Sequence, residues 1–170
     1  MDETLTQTER EAWRAFLRVH ARVIRIIGRE LERSHGLNPS MYDVLVTLYE
    51  APQNRLRMSD LAEQLVLTPS GLTRVVESLR KLGYVRRRVD PKDRRSVLVT
   101  LTPEGRAARL NAQPTVIEVL VNHLLQYLTP EETATLRTAF NRVLDGTRPA
   151  GRGGRTAGSP AAAVAAVGRS

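Results

Sequence analysis

Residues that can hydrogen-bond to base edges recur along one side of the segment Pro69–Leu82. Apolar residues at steps of three and four predict a helix there, with a buried stripe of Leu72, Val75, Val76, Leu79 and Leu82. At 100° per residue, the opposite side carries Ser70, Thr73, Arg74, Glu77 and Lys81. The guanidinium of Arg74 could donate to guanine O6 and N7, and the small Gly71 would allow a close approach. Any amphipathic helix has a polar side, so this pattern indicates DNA contact only if the flanking segments are also typical of a DNA-binding module.

A strand-like segment with many cations follows this helix. The β-branched runs Tyr84–Val89 and Ser96–Leu101 predict a hairpin whose connection is the polar turn Asp90–Arg95. The turn contains Lys92, Arg94 and Arg95, a group suited to phosphates or to a narrow minor groove. Other basic residues of the region are Arg55, Arg57, Arg86, Arg87 and Arg88. The first two could hold backbone phosphates, although arginines in loops and strands are often simply solvated.

The positive charge is concentrated in the centre of the chain. The whole chain of 170 residues has a formal net charge of +8. Residues 56–106 hold eleven basic and six acidic side chains, whereas residues 1–55 hold eight of each. Such a distribution favours an anionic partner for the central module.

The remaining elements are predicted from caps and periodicity. Four helix starts pair an N-cap with a proline: Asn38-Pro39, Thr68-Pro69, Thr102-Pro103 and Thr129-Pro130. The predicted helices cover 8–34, 39–50, 60–65 (capped by Ser59), 69–82, 103–128 with a bend at Pro114, and 130–144. The predicted fold class is therefore mainly α with a small β-hairpin wing. A winged helix-turn-helix at about 38–102 lies between terminal dimerisation helices at 8–34 and 103–145. Glycine, alanine, arginine and proline dominate residues 147–170, which we expect to form a disordered tail after a domain of residues 1–146.

Several motifs in this order resemble the multiple-antibiotic-resistance regulator (MarR) family. They are the runs Met58–Ala62, Ser70–Val76, Leu82–Val85, Asp90–Ser96 and Leu101–Gly105. The resemblance covers roughly residues 8–146, and its most specific parts are the Asp-x-Arg of the hairpin and the Leu-Thr-x-x-Gly that follows. It implies a homodimer with the helix at 69–82 in the major groove. It also implies that Arg95 enters or borders the minor groove, with Asp93 bracing it.

The resemblance and the residue chemistry together define the expected function. We expect a sequence-specific, double-stranded-DNA-binding transcriptional regulator, acting as a ligand-responsive homodimeric repressor on a pseudo-palindromic operator. The residues expected to contact DNA are Arg57, Thr68, Ser70, Gly71, Thr73, Arg74, Lys81, Lys92, Asp93, Arg94 and Arg95. The family also implies a small aromatic or phenolic effector, for which the candidate residues are Trp13, Arg14, His20 and Tyr42. Apolar stripes on the first, fifth and sixth helices support dimerisation independently, with a three-helix bundle within one subunit as the alternative.

Other functional classes fit the sequence less well. The sequence has neither a Gly-rich phosphate loop nor a histidine at catalytic spacing, so it does not predict an enzyme. We also expect no cofactor. The absence of cysteine excludes thiol redox sensing. Glu30, Glu32 and His35 leave a metal-sensing regulator of the same fold as one alternative, although they do not form a metal-ligand motif. A non-specific architectural DNA-binding protein is another, and a cytoplasmic location without membrane contact is expected.

Overall fold

The computed structural model describes residues 4–65, 67–91 and 93–147. Six α-helices and three short β-strands account for most of this part of the chain. None of the helices in it has the length and apolar character needed to cross a bilayer. The predicted tail at 147–170 lies outside the described residues, except for Thr147.

Four of the six helices begin where the N-cap–proline pairs predict. The six helices are α1 (Gln7–His35), α2 (Pro39–Glu50), α3 (Met58–Leu65), α4 (Pro69–Lys81), α5 (Pro103–His123) and α6 (Pro130–Gly146). At all four N-cap–proline pairs the N-cap side chain accepts the backbone N–H three residues later. Thr129 and Glu132 form the reciprocal capping box. Thr6 and Glu9 form a second capping box, so α1 starts one residue before the predicted position.

Three strands, rather than the predicted two, form an antiparallel sheet. They are β1 (Arg55–Arg57), β2 (Val85–Asp90) and β3 (Asp93–Leu101), with β3 in the centre. β1 was not predicted because three residues are too few for a period-two pattern. The sheet also corrects the wing: β2 continues to Asp90 and β3 begins at Asp93, so most of the predicted turn at 90–95 is strand.

Two helix boundaries also differ from the predictions. Ser59 does not cap α3, because the helix begins at Met58, directly after β1. The predicted helix at 103–128 ends at His123 and continues as a short 3₁₀ turn at Leu125–Tyr127. Pro114 lies inside α5 without ending it.

The core lies where α2, α4 and the sheet meet α1 and α5. Its fully buried leucines include Leu31, Leu45, Leu48, Leu61, Leu72 and Leu79. A tight junction attaches α5 to the root of the wing: Thr102 Oγ1 donates to the carbonyls of Gly83 and Tyr84, at 2.8 and 3.0 Å. A Cβ on Gly105 would lie 2.1 Å from the Tyr84 carbonyl oxygen, so only glycine fits there. This contact is the physical reason for the Leu-Thr-x-x-Gly segment.

Candidate nucleic-acid interface

The N-terminus of α4 is an exposed and well-capped helix end. Thr68 Oγ1 accepts the Gly71 N–H at 3.1 Å and lies 3.4 Å from Ser70 Oγ. A Cβ at Gly71 would come within 3.0 Å of the capping oxygen, so the glycine keeps the cap intact as well as leaving the surface open. Thr73 Oγ1 donates to the Pro69 carbonyl at 2.8 Å, which fixes the hydroxyl rotamer. The end of α4 therefore presents ordered, short polar groups.

Arg74 is the exposed guanidinium in the middle of the α4 surface. It makes no hydrogen bond or ion pair with the described residues, so its donors are available to a partner. Glu77 is the acidic group of this surface, and both of its carboxylate oxygens accept hydrogen bonds from Arg80, at 2.7 and 2.9 Å. That pairing lowers the pKa of Glu77 and offsets the charge that would repel a polyanion. Lys81 is exposed at the C-terminal end of the helix.

The tip of the wing is organised by Asp93. Its Oδ1 accepts the Arg95 backbone N–H at 3.1 Å, and its Oδ2 accepts the Ser96 hydroxyl at 2.5 Å. The hydrogen bonds from Ser96 and Arg95 hold the pKa of Asp93 below its usual value. Asp93 thus holds Arg95 through the backbone and leaves its side chain exposed next to exposed Arg94. Lys92, also predicted to contact DNA, lies outside the described residues.

Arg57 lies at the root of the wing in an ion pair. Its Nε and Nη2 atoms donate to Asp90 Oδ2 at 3.2 and 3.0 Å, so the side chain spans the central strand β3 to join β1 to β2. The Asp90 side chain is 8% exposed and that of Arg57 is 44% exposed. A phosphate contact by Arg57 stays a prediction, and the geometry adds a structural role that the sequence did not indicate.

The four effector candidates do not form one cluster. Trp13 and His20 both stack near Phe16 on the exposed side of α1, with ring centroids 5.8 and 6.2 Å from that of Phe16. Arg14 is exposed on the same helix. Tyr42 is only 5% exposed and belongs to the core, where burial raises its pKa.

Sequence reasoning missed a polar cluster between α2 and α5. Arg109 is 3% exposed, donates from Nη1 to Gln113 at 2.5 Å, and lies 4.5 Å from the centre of the Tyr49 ring. Its Nε is buried without a hydrogen-bond partner among the described residues. Arg106 stacks on the same ring at 4.8 Å and donates to Asn54 at 2.5 Å. The i, i+3 spacing of the two arginines on α5 was the available signal.

The described residues do not assemble a metal site. Across residues 4–65, 67–91 and 93–147, no three His, Asp or Glu side chains come close enough to hold an ion. His35 instead lies 2.9 Å from the Thr115 hydroxyl of α5. No observation therefore favours the metal-sensing alternative.

Comparison with known proteins finds relatives of both the winged helix-turn-helix and the whole fold. A profile described as MarR family matches residues 35–96. The HTH-type transcriptional regulator PrsX of Escherichia coli is 39% identical over 72 residues, which are 42% of this chain and only 43% of that protein's length. The MarR family transcriptional regulator Sco3205 of Streptomyces coelicolor, solved in complex with DNA, is 31% identical. That match has a TM-score of 0.81 and covers 88% of this chain and 94% of Sco3205.

One further solved structure carries a small molecule. CouR from Rhodococcus jostii RHA1, bound to p-coumaroyl-CoA, is 26% identical with a TM-score of 0.69, over 79% of this chain and 92% of that one. The profile match, the similarity to Sco3205 along nearly its whole length, and the winged helix-turn-helix described above agree with one another. The chain belongs to the MarR family of transcriptional regulators, which are not enzymes.

Proposed function

We propose that this regulator is a ligand-responsive repressor that binds a pseudo-palindromic DNA operator as a homodimer. The observation that carries the proposal is the exposed polar surface of α4, where Arg74 has no partner among the described residues and Glu77 is neutralised by Arg80. A guanidinium with free donors beside small hydroxyls matches the requirements of base-edge contact in a major groove. The exposed Arg94 and Arg95 of the wing would contact the adjacent backbone or minor groove. The DNA complex of Sco3205 supports a duplex as the partner.

Homodimerisation is supported by an apolar surface that one subunit leaves open. We call it the terminal apolar face, and it consists of Leu5, Trp13, Phe16, Leu17, Leu136, Phe140, Val143 and Leu144, all exposed. Phe16 of α1 and Phe140 of α6 contact each other, with ring centroids 5.6 Å apart, so the two helices lie side by side. α6 has no buried residue at all. An exposed apolar face of this kind can pack against the same face of a second copy. The dimer then has two winged helix-turn-helix units, which make more phosphate contacts than one.

Response to a small effector is the third part of the proposal. CouR, a relative of the same fold, is bound to p-coumaroyl-CoA, which supports an aromatic or phenolic effector. The stacked rings of Trp13, Phe16 and His20 offer a surface on which such a molecule could stack, and because Trp13 and Phe16 belong to the terminal apolar face, the effector would lie between the two subunits. We keep Arg14 and Tyr42 as predicted effector contacts, although Tyr42 would require local opening because it is buried.

Selection of DNA by the purified protein tests the proposal. A pool of random duplexes should yield, after repeated binding and amplification, one inverted repeat whose half-site centres lie about 10 base pairs apart. Affinities for different sequences, measured at several salt concentrations, separate this regulator from an architectural protein. The affinity of an architectural protein would fall as salt rises but would be similar for all sequences at any one concentration. Failure to enrich any sequence would overturn the proposal.

A further inference from the structure

The outward face of the three-stranded sheet carries two rows of arginine. In the strand register, Thr100 of β3 pairs with Arg55 on one side and Arg86 on the other. One pair further along, Leu98 lies between Arg57 and Arg88 in the same way. Residues paired across strands share a face, so the four arginines project from the same side of the sheet. We call these four residues the outer arginine rows.

The spacing of the rows follows from sheet geometry. Neighbouring strands lie about 4.8 Å apart and alternate residues about 7 Å apart along a strand. The four Cα atoms therefore mark a rectangle of roughly 10 by 7 Å, with Thr100 and Leu98 half-buried between the longer side chains. The opposite face of the sheet packs on the core through Val85, Val99 and Leu101. The rows thus form a flat cationic surface turned away from the helices.

Little negative charge compensates this surface. Arg55, Arg86 and Arg88 are exposed and make no hydrogen bond or ion pair with the described residues, whereas Arg57 holds Asp90. Two other carboxylates lie near the rows: Glu104 lines the same open concavity as Arg86 and Arg88 along the edge of β2, and the charge of Arg57 helps to lower the pKa of Asp93. Solvated surfaces ordinarily mix both signs of charge, so three unpaired arginines on one face need a reason.

Protection of the sheet edges is the simpler explanation. Charged side chains on edge strands prevent strand addition by another chain, and both β1 and β2 are edges. Edge protection, however, is satisfied by charge of either sign and on either face. It does not account for the choice of arginine at all four of these positions, with Asp90 as the one acidic residue that β2 places beside them.

We propose that the outer arginine rows bind the phosphate backbone of the duplex that flanks the operator. This inference rests on the proposed DNA-binding function, because β2 and β3 lead directly from the rows to the exposed Arg94 and Arg95 at the wing. A duplex that passes the wing and bends towards the subunit meets the outward face of the sheet. Contacts to phosphates carry no base information, so the rows lengthen the footprint without changing the recognised sequence.

The test uses the whole chain and the operator obtained by selection. The operator is prepared as a core duplex of about one footprint and as a longer duplex with about 15 base pairs of arbitrary sequence added at each end. The triple variant Arg55→Gln, Arg86→Gln, Arg88→Gln keeps the Arg57–Asp90 pair. Each lost phosphate contact makes the slope of log affinity against log salt shallower by about 0.9, so the contribution of one contact to affinity falls roughly three-fold between 50 and 200 mM salt. With six positions in a dimer, we expect at least a ten-fold loss on the extended duplex at 50 mM salt, a smaller loss at 200 mM, and less than a two-fold loss on the core duplex at either concentration.

A matched control removes the same charge elsewhere. Arg22, Arg25 and Arg29 are exposed on α1 and make no hydrogen bond or ion pair with the described part of the chain, so the corresponding triple Gln variant should bind both duplexes like the parent. Equal losses on the two duplexes, or no loss on the extended one, would overturn the inference. Aggregation of the sheet variant without a change in affinity would assign the rows to edge protection and also overturn it. Absence of specific binding by the parent would instead reject the proposed function.

Discussion

Arg109 illustrates how a single residue can depart from its expected environment. A guanidinium that is 3% exposed normally has a carboxylate partner, yet its one acceptor is the neutral Gln113 and its Nε has none on the described part of the chain. Burial of a cation costs several kcal/mol, which the Tyr49 ring and the charge of nearby Glu50 offset only in part.

Replacement of Arg109 by a flexible apolar residue should therefore not weaken the fold. We expect Arg109→Met to change the free energy of unfolding by between 0 and about +2 kcal/mol, measured by urea denaturation. Arg106→Met is the control, because Arg106 lies on the same ring but is exposed and anchors Asn54. A measurable loss of stability for Arg109→Met would contradict this expectation, because it would mean that the interactions of the cation with Tyr49, Gln113 and Glu50 outweigh its burial cost.

The role of Arg57 shows what residue types alone leave undetermined. The sequence marks it as a cation near a helix-turn-helix, and the same guanidinium could hold a phosphate or a carboxylate. The ion pair with Asp90 depends on pairing between strands more than 30 residues apart in sequence. Such long-range pairing has no local signal in a single sequence.

Among the helices and strands, local sequence chemistry predicted where helices start. It did not predict where α5 ends or that the short strand β1 forms. Caps located α2, α4, α5 and α6, because an N-cap and its proline act within one turn. β1 and the end of α5 were not predictable, because a three-residue strand is stabilised only by its partner β3 and helix ends respond to tertiary packing. The polar surface of α4, which we propose contacts DNA, could be predicted from periodicity, whereas the outer arginine rows required the strand register.

Asp43 makes the stability contribution of α2 dependent on pH. Burial raises its pKa to about 6 from 3.8. Between about pH 4 and pH 6, the folded protein therefore binds more protons than the unfolded chain, so this group lowers stability as the pH rises through that window.

Asp43→Asn should remove this penalty. We expect the variant to be more stable than the parent by about 1 to 3 kcal/mol at pH 7 and to show little or no gain at pH 4, by thermal or urea unfolding at both values. Glu11→Asn changes charge at an exposed position of α1 and is the control. An equal gain at the two pH values would show that ionisation of Asp43 is not the cause.

For the whole molecule, the terminal apolar face predicts a dimer. Light scattering at low micromolar concentration should give about twice the monomer mass of 19.0 kDa. Phe140→Glu should shift the protein towards monomer, because an unpaired charge would be desolvated at the centre of the face. Thr138→Glu introduces the same charge about 200° away on α6 and should leave the dimer intact. A monomeric parent protein would contradict the proposed assembly.

We propose that α4 reads bases and that the wing contacts the DNA backbone or minor groove. Fluorescence anisotropy on the selected operator and its single-base variants, with the Arg74→Ala and Arg95→Ala proteins at several salt concentrations, distinguishes these two roles. Arg74→Ala should lose about 1 to 3 kcal/mol on the best operator and lose discrimination at one position in each half-site. Arg95→Ala should weaken binding to all sequences together and make the salt slope shallower by about one per half-site. If Arg74→Ala lowered every affinity equally and left the base preferences unchanged, α4 would not be the element that reads the sequence.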